Sequence, residues 1–147
     1  MASATESIEI NRPVEEVYRF LADGLNNPKW RPAVINITLV SGAGGAAGAV
    51  YRQTLKGPFG RIHGDYRLVE ASPNSRIKFE VVSGPARPVG LFVIEPARDG
   101  TRVRFSLNFE PKGLMRLMNG MIQRTMEGEV KNLANLKAAL EGSGRRA

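Results

Sequence analysis

LMRLMNGMIQRTMEGEVKNLANLKAALE, from Leu114 to Glu141, is the stretch on which the reading of this chain turns. Leu114, Leu117, Met118, Met121, Ile122, Met126, Val130, Leu133, Leu136 and Leu140 recur at steps of three and four, the spacing that stacks side chains on one face of an α-helix. A single helix over the whole stretch would be about 42 Å long, which exceeds most helices of small domains. Its apolar stripe needs a large apolar partner. At about 2 kcal/mol per large side chain, the stripe represents on the order of 20 kcal/mol of gross burial. Three polar residues interrupt it: Thr125, Glu129 and Asn132 fall within the apolar sector of a helical wheel, Glu129 near its middle.

The remaining sequence has to supply that partner. A chain of 147 residues suffices for one domain, taken here as residues 1–141, with a flexible tail over 142–147. Its 42% hydrophobic and 24% charged composition is that of a globular protein, not of a disordered or collagen-like one. Cysteine is absent and histidine occurs once, so disulfides, thiolate chemistry and Cys/His zinc sites are excluded, and no metal is expected. No cofactor is expected either. Gly42-Ala43-Gly44-Gly45 lacks the Lys-Ser/Thr of a phosphate loop and falls between strands. The start MASATESIEI has no signal-peptide pattern and no run of 18 apolar residues occurs, so a cytoplasmic protein without a transmembrane segment is expected.

A net charge of +7 raises nucleic acid and anionic membrane as partners. Lys and Arg are scattered instead of interleaved with exposed aromatics, which disfavours nucleic acid. Peripheral contact with an anionic membrane through Leu114 to Met121, flanked by Arg116 and Arg124, competes with packing of that segment in the core, the usual fate of an apolar stripe. Monomer and homodimer both remain open.

Upstream, the period changes. Thr5 to Ile10 ends as an alternating strand, and Pro13 to Ala22 reads as a short helix with Pro13 at its start and Glu15 and Glu16 at its positive end. Gly24, Asn26, Asn27 and Pro28 interrupt, and Lys29-Trp30-Arg31-Pro32 follows with a helical turn. From Val34 onward the alternation has period two. Ile35, Ile37 and Leu39 form one face, then Tyr51 and Leu55 after a Gly/Ala-rich turn at Ser41 to Gly48. Ile62, Tyr66 and Leu68 follow a Gly57-Pro58-Phe59-Gly60 turn, and Ile77, Phe79 and Val81 follow a turn at Ser72 to Ser75. After a breaker-rich loop at Gly84 to Pro88, Val89 to Pro96 is apolar on both parities. Val103, Phe105, Leu107 and Phe109 alternate beyond Asp99-Gly100. Six such strands joined by short turns form an antiparallel meander with one face to a core, and only the C-terminal helix is available to cover it.

This order resembles the helix-grip fold of the START and pollen-allergen-like (SRPBCC) superfamily, and within it the polyketide cyclase/dehydrase-like family. The resemblance rests on Ile8 to Tyr18, on Pro28-Lys29-Trp30-Arg31-Pro32, on Asp99 to Val103 and on Leu133-Ala134-Asn135-Leu136-Lys137, and it covers nearly the whole chain. It implies an α+β fold in which a curved antiparallel sheet of about seven strands wraps a long C-terminal helix, with two short helices after the first strand. It also implies a cavity between sheet and helix. The inward-facing set supports that cavity from the residues themselves: Tyr51, Gln53, Tyr66, Phe79, Phe105, Phe109, Met118, Met121, Thr125 and Glu129, which together with Trp30 are the candidate ligand-binding residues.

His63 alternates with Ile62 and Tyr66, so it is expected at the surface beside Asp65 unless a bulge at Gly60 or Gly64 reverses the parity. Glu129 either faces the cavity, where a buried carboxylate needs an arginine or a ligand group, or reaches the solvent edge through a bend near Gly120 or Gly128. Tyr51 and Tyr66 either present phenols to a ligand or lie in the core. The function expected is binding of a hydrophobic or amphipathic small molecule, whether lipid, isoprenoid or polyketide-like, as carrier or sensor. The rival is a cyclase or dehydratase in which Glu129, Tyr51 or Tyr66 moves a proton or orients the substrate.

Overall fold

The alternating segments become eight strands of one antiparallel sheet, in a computed structural model that describes residues 2–57, 60–83 and 87–144. They are β1 (Ala2–Ile10), β2 (Val34–Ser41), β3 (Val50–Gly57), β4 (Gly60–His63), β5 (Tyr66–Ser72), β6 (Arg76–Val81), β7 (Val89–Ala97) and β8 (Gly100–Phe109). The sheet order is β1-β8-β7-β6-β5-β3-β2, with β4 folded back onto β3. β1 starts earlier than its alternation predicts because it pairs along nearly all of β8, from Ala2 opposite Phe109 to Ile10 opposite Thr101. The doubly apolar β7 is a central strand in which Gly90, Phe92 and Ile94 face the core.

The extra strand has a local cause. Ile62 to Leu68, predicted as one strand, is interrupted at Gly64 and Asp65. Gly64 N–H donates to the Gln53 carbonyl at 2.9 Å, and the Asp65 carboxylate accepts from Gln53 N–H at 3.1 Å. The chain thereby leaves its pairing with Thr54 to Gly57 and resumes as β5 opposite Val50 and Tyr51. A Cβ on Gly64 would stand 2.7 Å from Leu55 Cδ1, so any other residue here would oblige the Leu55 side chain to move.

Between β1 and β2 lie α1 (Val14–Ala22) and a 3₁₀ turn at Gly24–Lys29. The turn occupies the residues predicted to break the chain. The Asp23 carboxylate accepts from Leu25 N–H, and Pro28 sits inside the turn.

The C-terminal helix is long but not continuous. Gly113–Met118 is a 3₁₀ turn; α2 covers Asn119–Val130 and α3 covers Leu133–Gly144. The break lies at Lys131–Asn132, where the Asn132 carbonyl accepts from Asn135 and Leu136 and so starts a new helix. Met126, Val130, Leu133, Leu136 and Leu140 are buried with Ile10, Val17, Trp30, Ile94 and Val103 in one core. Leu114 and Leu117 are 84% and 85% exposed, contrary to their expected place in the core stripe. The 3₁₀ geometry explains this: at three residues per turn Leu114 and Leu117 eclipse each other on an outward stripe, while Met115 and Met118 occupy the next stripe, toward the sheet.

α3 is held at its far end. Arg12 donates to the Leu140 and Glu141 carbonyls at 3.2 and 3.0 Å, which supplies partners for carbonyls of a last helical turn. Helix therefore covers Gly142 to Gly144, the first half of the expected tail. Residues 145–147, like the expected turn and loop residues 58–59 and 84–86, lie outside the described residues. The result is α+β: a curved antiparallel sheet wrapped around a long C-terminal helix, with two short helical segments after β1.

Candidate functional site

Because α2 and α3 both pack along β1 at one edge of the sheet while α2 stands off the middle strands, a cavity of ≈ 280 Å³ remains between helix and sheet. That is just below the range of ordinary ligand pockets, about 300–1,000 Å³. Its helix wall is built by the same periodicity that packs the core. Met115, Met118, Met121 and Met126 all line it, together with Ile122. The facing wall comes from inward strand positions: Leu55 and Ile62 on the β3–β4 hairpin, Phe79 and Val81 on β6, and Leu107 and Phe109 on β8. From Met118 to Glu129 the wall runs eleven residues, or about 16 Å.

The deep end carries charge. Arg31 Nε and Nη2 donate to Glu129 Oε1 and Oε2, both at 3.1 Å, a two-point guanidinium–carboxylate pair. The side chains retain only 11% and 14% of their exposure. Asn132 adds a donor to Glu129 Oε1 at 3.2 Å. Burial works to raise the Glu129 carboxyl, but the Arg31 charge and the Arg31 and Asn132 hydrogen bonds outweigh it, and the pKa falls below the ordinary value. For Arg31, burial favours loss of the proton, but the Glu129 charge, the hydrogen bonding to Glu129 and the influence of Tyr66 together outweigh it, and the pKa rises. Both groups are therefore ionised at neutral pH.

Next to the pair is a buried polar cluster. Asn27 Nδ2 donates to Tyr66 Oη at 3.0 Å and to Gln53 Oε1 at 3.4 Å, and Gln53 Nε2 donates to the Gly64 carbonyl at 3.1 Å. Burial raises the Tyr66 pKa, with the Arg31 charge and the Asn27 hydrogen bond opposing more weakly, so its phenol stays protonated. Of this cluster Gln53 and Gly64 border the main cavity. Tyr66 and Asn27 reach instead a void of ≈ 10 Å³, about the room of one water, shared with Arg31.

The expected ligand-binding set divides accordingly. Gln53, Phe79, Phe109, Met118, Met121 and Glu129 line the cavity. Thr125 lines it from an exposed position, but its hydroxyl donates to the Met121 carbonyl of its own helix at 3.0 Å. Trp30, Tyr51, Tyr66 and Phe105 do not line it and correct the expectation. Trp30 packs edge-on against Phe92 and Phe105 with centroids 6.0 Å away, and Phe92 and Phe105 stack at 4.4 Å as opposed residues of β7 and β8. Tyr51 stacks on its cross-strand partner Tyr66 at 5.2 Å, and its hydroxyl accepts from Gly45 N–H at 2.9 Å. Period two places Tyr51, Tyr66 and Phe105 inward, yet Tyr51 and Tyr66 pack against Gly24 of the 3₁₀ turn and Phe105 packs against Trp30, all within the core. His63 is exposed, as its parity predicts, and also borders the cavity from its rim.

Arg31 is the site residue that the sequence reading left unnamed. The signal was present: a carboxylate on an apolar helix face requires a cation, and Arg31 stands between Trp30 and Pro32 in one of the segments that carry the family resemblance.

The fold recurs in solved structures. TTHA0849 from Thermus thermophilus superposes with a TM-score of 0.74 at 23% identity, covering 97% of each chain. A START superfamily protein from Mycobacterium smegmatis superposes with a TM-score of 0.75 at 18% identity, again covering 97% of each chain. The di-domain ARO/CYC protein BexL from the BE-7585A biosynthetic pathway matches with a TM-score of 0.76 at 24% identity, over 96% of this chain and 47% of its own. No curated protein sequence matches the chain. The family described as polyketide cyclase/dehydrase and lipid transport matches residues 1–141, and the chain belongs to that family.

Proposed function

We propose that the cavity binds one amphipathic small molecule, a lipid, isoprenoid or polyketide-like compound, and that the protein acts as a carrier or sensor for it. The observation that carries this reading is the make-up of the cavity: methionine, phenylalanine and aliphatic walls ending in a charge pair that is already internally neutralised. Four methionines give a wall that repacks around apolar shapes. With Arg31 engaged by Glu129, the deep end offers no free cation to a carboxylate. Arg31 and Gln53, which border the cavity, suit a neutral hydroxyl or carbonyl on the ligand instead.

Native mass spectrometry of the purified protein, joined to thermal unfolding with fatty alcohols, isoprenoids and aromatic polyketides, tests the proposal. A ligand at one hundred times its Kd adds about 2.7 kcal/mol, which raises Tm by roughly 5–10 °C for a chain of this size. The absence of both a co-purifying mass and a shift with any of these compounds would refute it.

A second reading, cyclisation or dehydration of a polyketide in the same cavity, draws support from the family description and from the likeness to the ARO/CYC protein BexL. The groups offered for proton transfer weigh against it. Glu129 is ionised and clamped, Tyr66 is a raised phenol outside the main cavity, and the Tyr51 hydroxyl is engaged by Gly45. Cyclised product from a linear polyketide thioester, lost in His63→Ala or Met121→Trp, would favour this reading over simple binding.

A further inference from the structure

The 3₁₀ turn Gly113–Met118 has two stripes with different surroundings. Met115 and Met118 border the cavity, while Leu114 and Leu117 point outward, 84% and 85% exposed. Two large aliphatic side chains side by side in water are unusual for a surface with no partner. The charges around them are one-sided. From Lys112 to Met126 the chain contains no acidic residue, and Lys112, Arg116 and Arg124 make no ion pair among the described residues.

A second element that borders the cavity repeats the sign on its outward-facing side. On the β3–β4 hairpin, whose Leu55 and Ile62 border the cavity, Lys56 stands directly opposite Arg61 in the strand register. Both are exposed and neither makes an ion pair among the described residues. Like charges placed opposite each other destabilise a hairpin, so folding does not account for the arrangement.

We propose that this rim docks the protein on an anionic phospholipid bilayer. Leu114 and Leu117 enter the interface, and Lys112, Arg116, Arg124, Lys56 and Arg61 meet lipid phosphates. Apolar insertion joined to basic flanks is the combination that holds a peripheral protein to such a surface. Among the described residues no helix is long and apolar enough to cross a membrane, so the contact is peripheral. A second copy of the chain is the poorer occupant, because docking through the same face would set these cations against their equivalents. The bilayer contact lies at the cavity mouth, where an apolar ligand could pass between lipid and protein without crossing water. Docking itself does not depend on what the cavity holds.

Flotation with vesicles tests the proposal, comparing phosphatidylcholine alone with an equimolar mixture of phosphatidylcholine and phosphatidylglycerol. The protein is expected to float with the mixture and not with phosphatidylcholine, and added salt should weaken binding by screening. Leu114→Ser and Leu117→Ser should each reduce affinity about tenfold. Both positions are exposed, so the variants keep the fold, which circular dichroism and Tm verify. Dye occupancy of the cavity, read on the same samples, should be unchanged. Three results would overturn the proposal: no flotation with the mixture at low salt, equal flotation with both vesicles, or flotation indifferent to the double substitution. A dimer in sedimentation that dissociates in the double variant, without vesicle binding, would assign the leucines to self-association instead.

Discussion

Removing either half of the Arg31–Glu129 pair should destabilise the protein far more than removing both. With charge centres about 4 Å apart and an effective dielectric of about 20, the attraction is roughly 4 kcal/mol. Desolvation costs several kcal/mol per ion, so the intact pair is close to neutral against an apolar replacement of the same volume. Arg31→Met leaves Glu129 buried with only Asn132 as partner, and Glu129→Gln leaves the guanidinium facing a neutral amide. Each single change should cost about 3–5 kcal/mol. The double change Arg31→Met/Glu129→Leu should recover most of that, for a coupling of at least about 2 kcal/mol. Urea unfolding measures all four proteins. With m between about 1 and 3 kcal/mol/M, each single variant should lose roughly 2 M of its midpoint, and m should stay constant. Single losses below about 1 kcal/mol that add in the double variant are what an exposed pair gives, and would refute the placement of this pair.

Acid should act through the same carboxylate. The folded Glu129 pKa lies below its unfolded value, so its contribution is full above about pH 4.5 and fades as pH falls through the folded value; Glu129→Gln should remove that part of the acid slope, and parallel curves for both proteins would contradict it. Gly90→Ala would place a Cβ 2.0 Å from Phe79 Cζ, its opposite residue in register, and should cost about 1–3 kcal/mol in thermal unfolding; an unchanged Tm would mean that the ring is not seated there. Met121→Trp should fill the cavity and weaken an apolar dye at least about tenfold with little change in Tm, whereas undiminished dye binding would move the ligand elsewhere. Hydrogen exchange should be faster in the Gly113–Met118 turn than in α3, because the turn buries no side chain while α3 buries Leu133, Leu136 and Leu140; equal protection would show that the turn is packed.

The architecture was legible because both periods were clean. Ile77, Phe79, Val103, Phe105 and Leu107 alternate without exception, and Met126 to Leu140 hold one helical face. Three features were not legible, each for a physical reason. Helical spacing over Leu114 to Met118 reads the same for α and 3₁₀ geometry, yet the second turns Leu114 and Leu117 outward. Strand parity gives the side of the sheet but not the position along its curve, so Tyr51, Tyr66 and Phe105 were correctly placed inward and wrongly placed in the cavity. Pairing across distant segments leaves no periodic trace. Arg31 and Glu129 are 98 residues apart, and only the electrostatic need of the second pointed toward the first.

That pair also bears on the choice between binding and catalysis. A general acid or base works best with a pKa near the operating pH and a proton free to move. Glu129 has been driven the other way, its pKa lowered and both oxygens engaged by Arg31. What the pair does supply is a fixed polar boundary to an apolar space, on the last turn of α2 and immediately before the break at Lys131–Asn132. The boundary divides the C-terminal helix by role. Beyond it α3 buries Leu133, Leu136 and Leu140 in the core and is held at its end by Arg12; before it α2 buries Met126 and Val130, is tied to β1 by Gln123 on the Ser3 backbone, and turns Met121 and Ile122 to the cavity. A wall that is rigid at the polar end and yielding toward the mouth suits a site that holds a ligand by its polar group and tolerates variation in its tail.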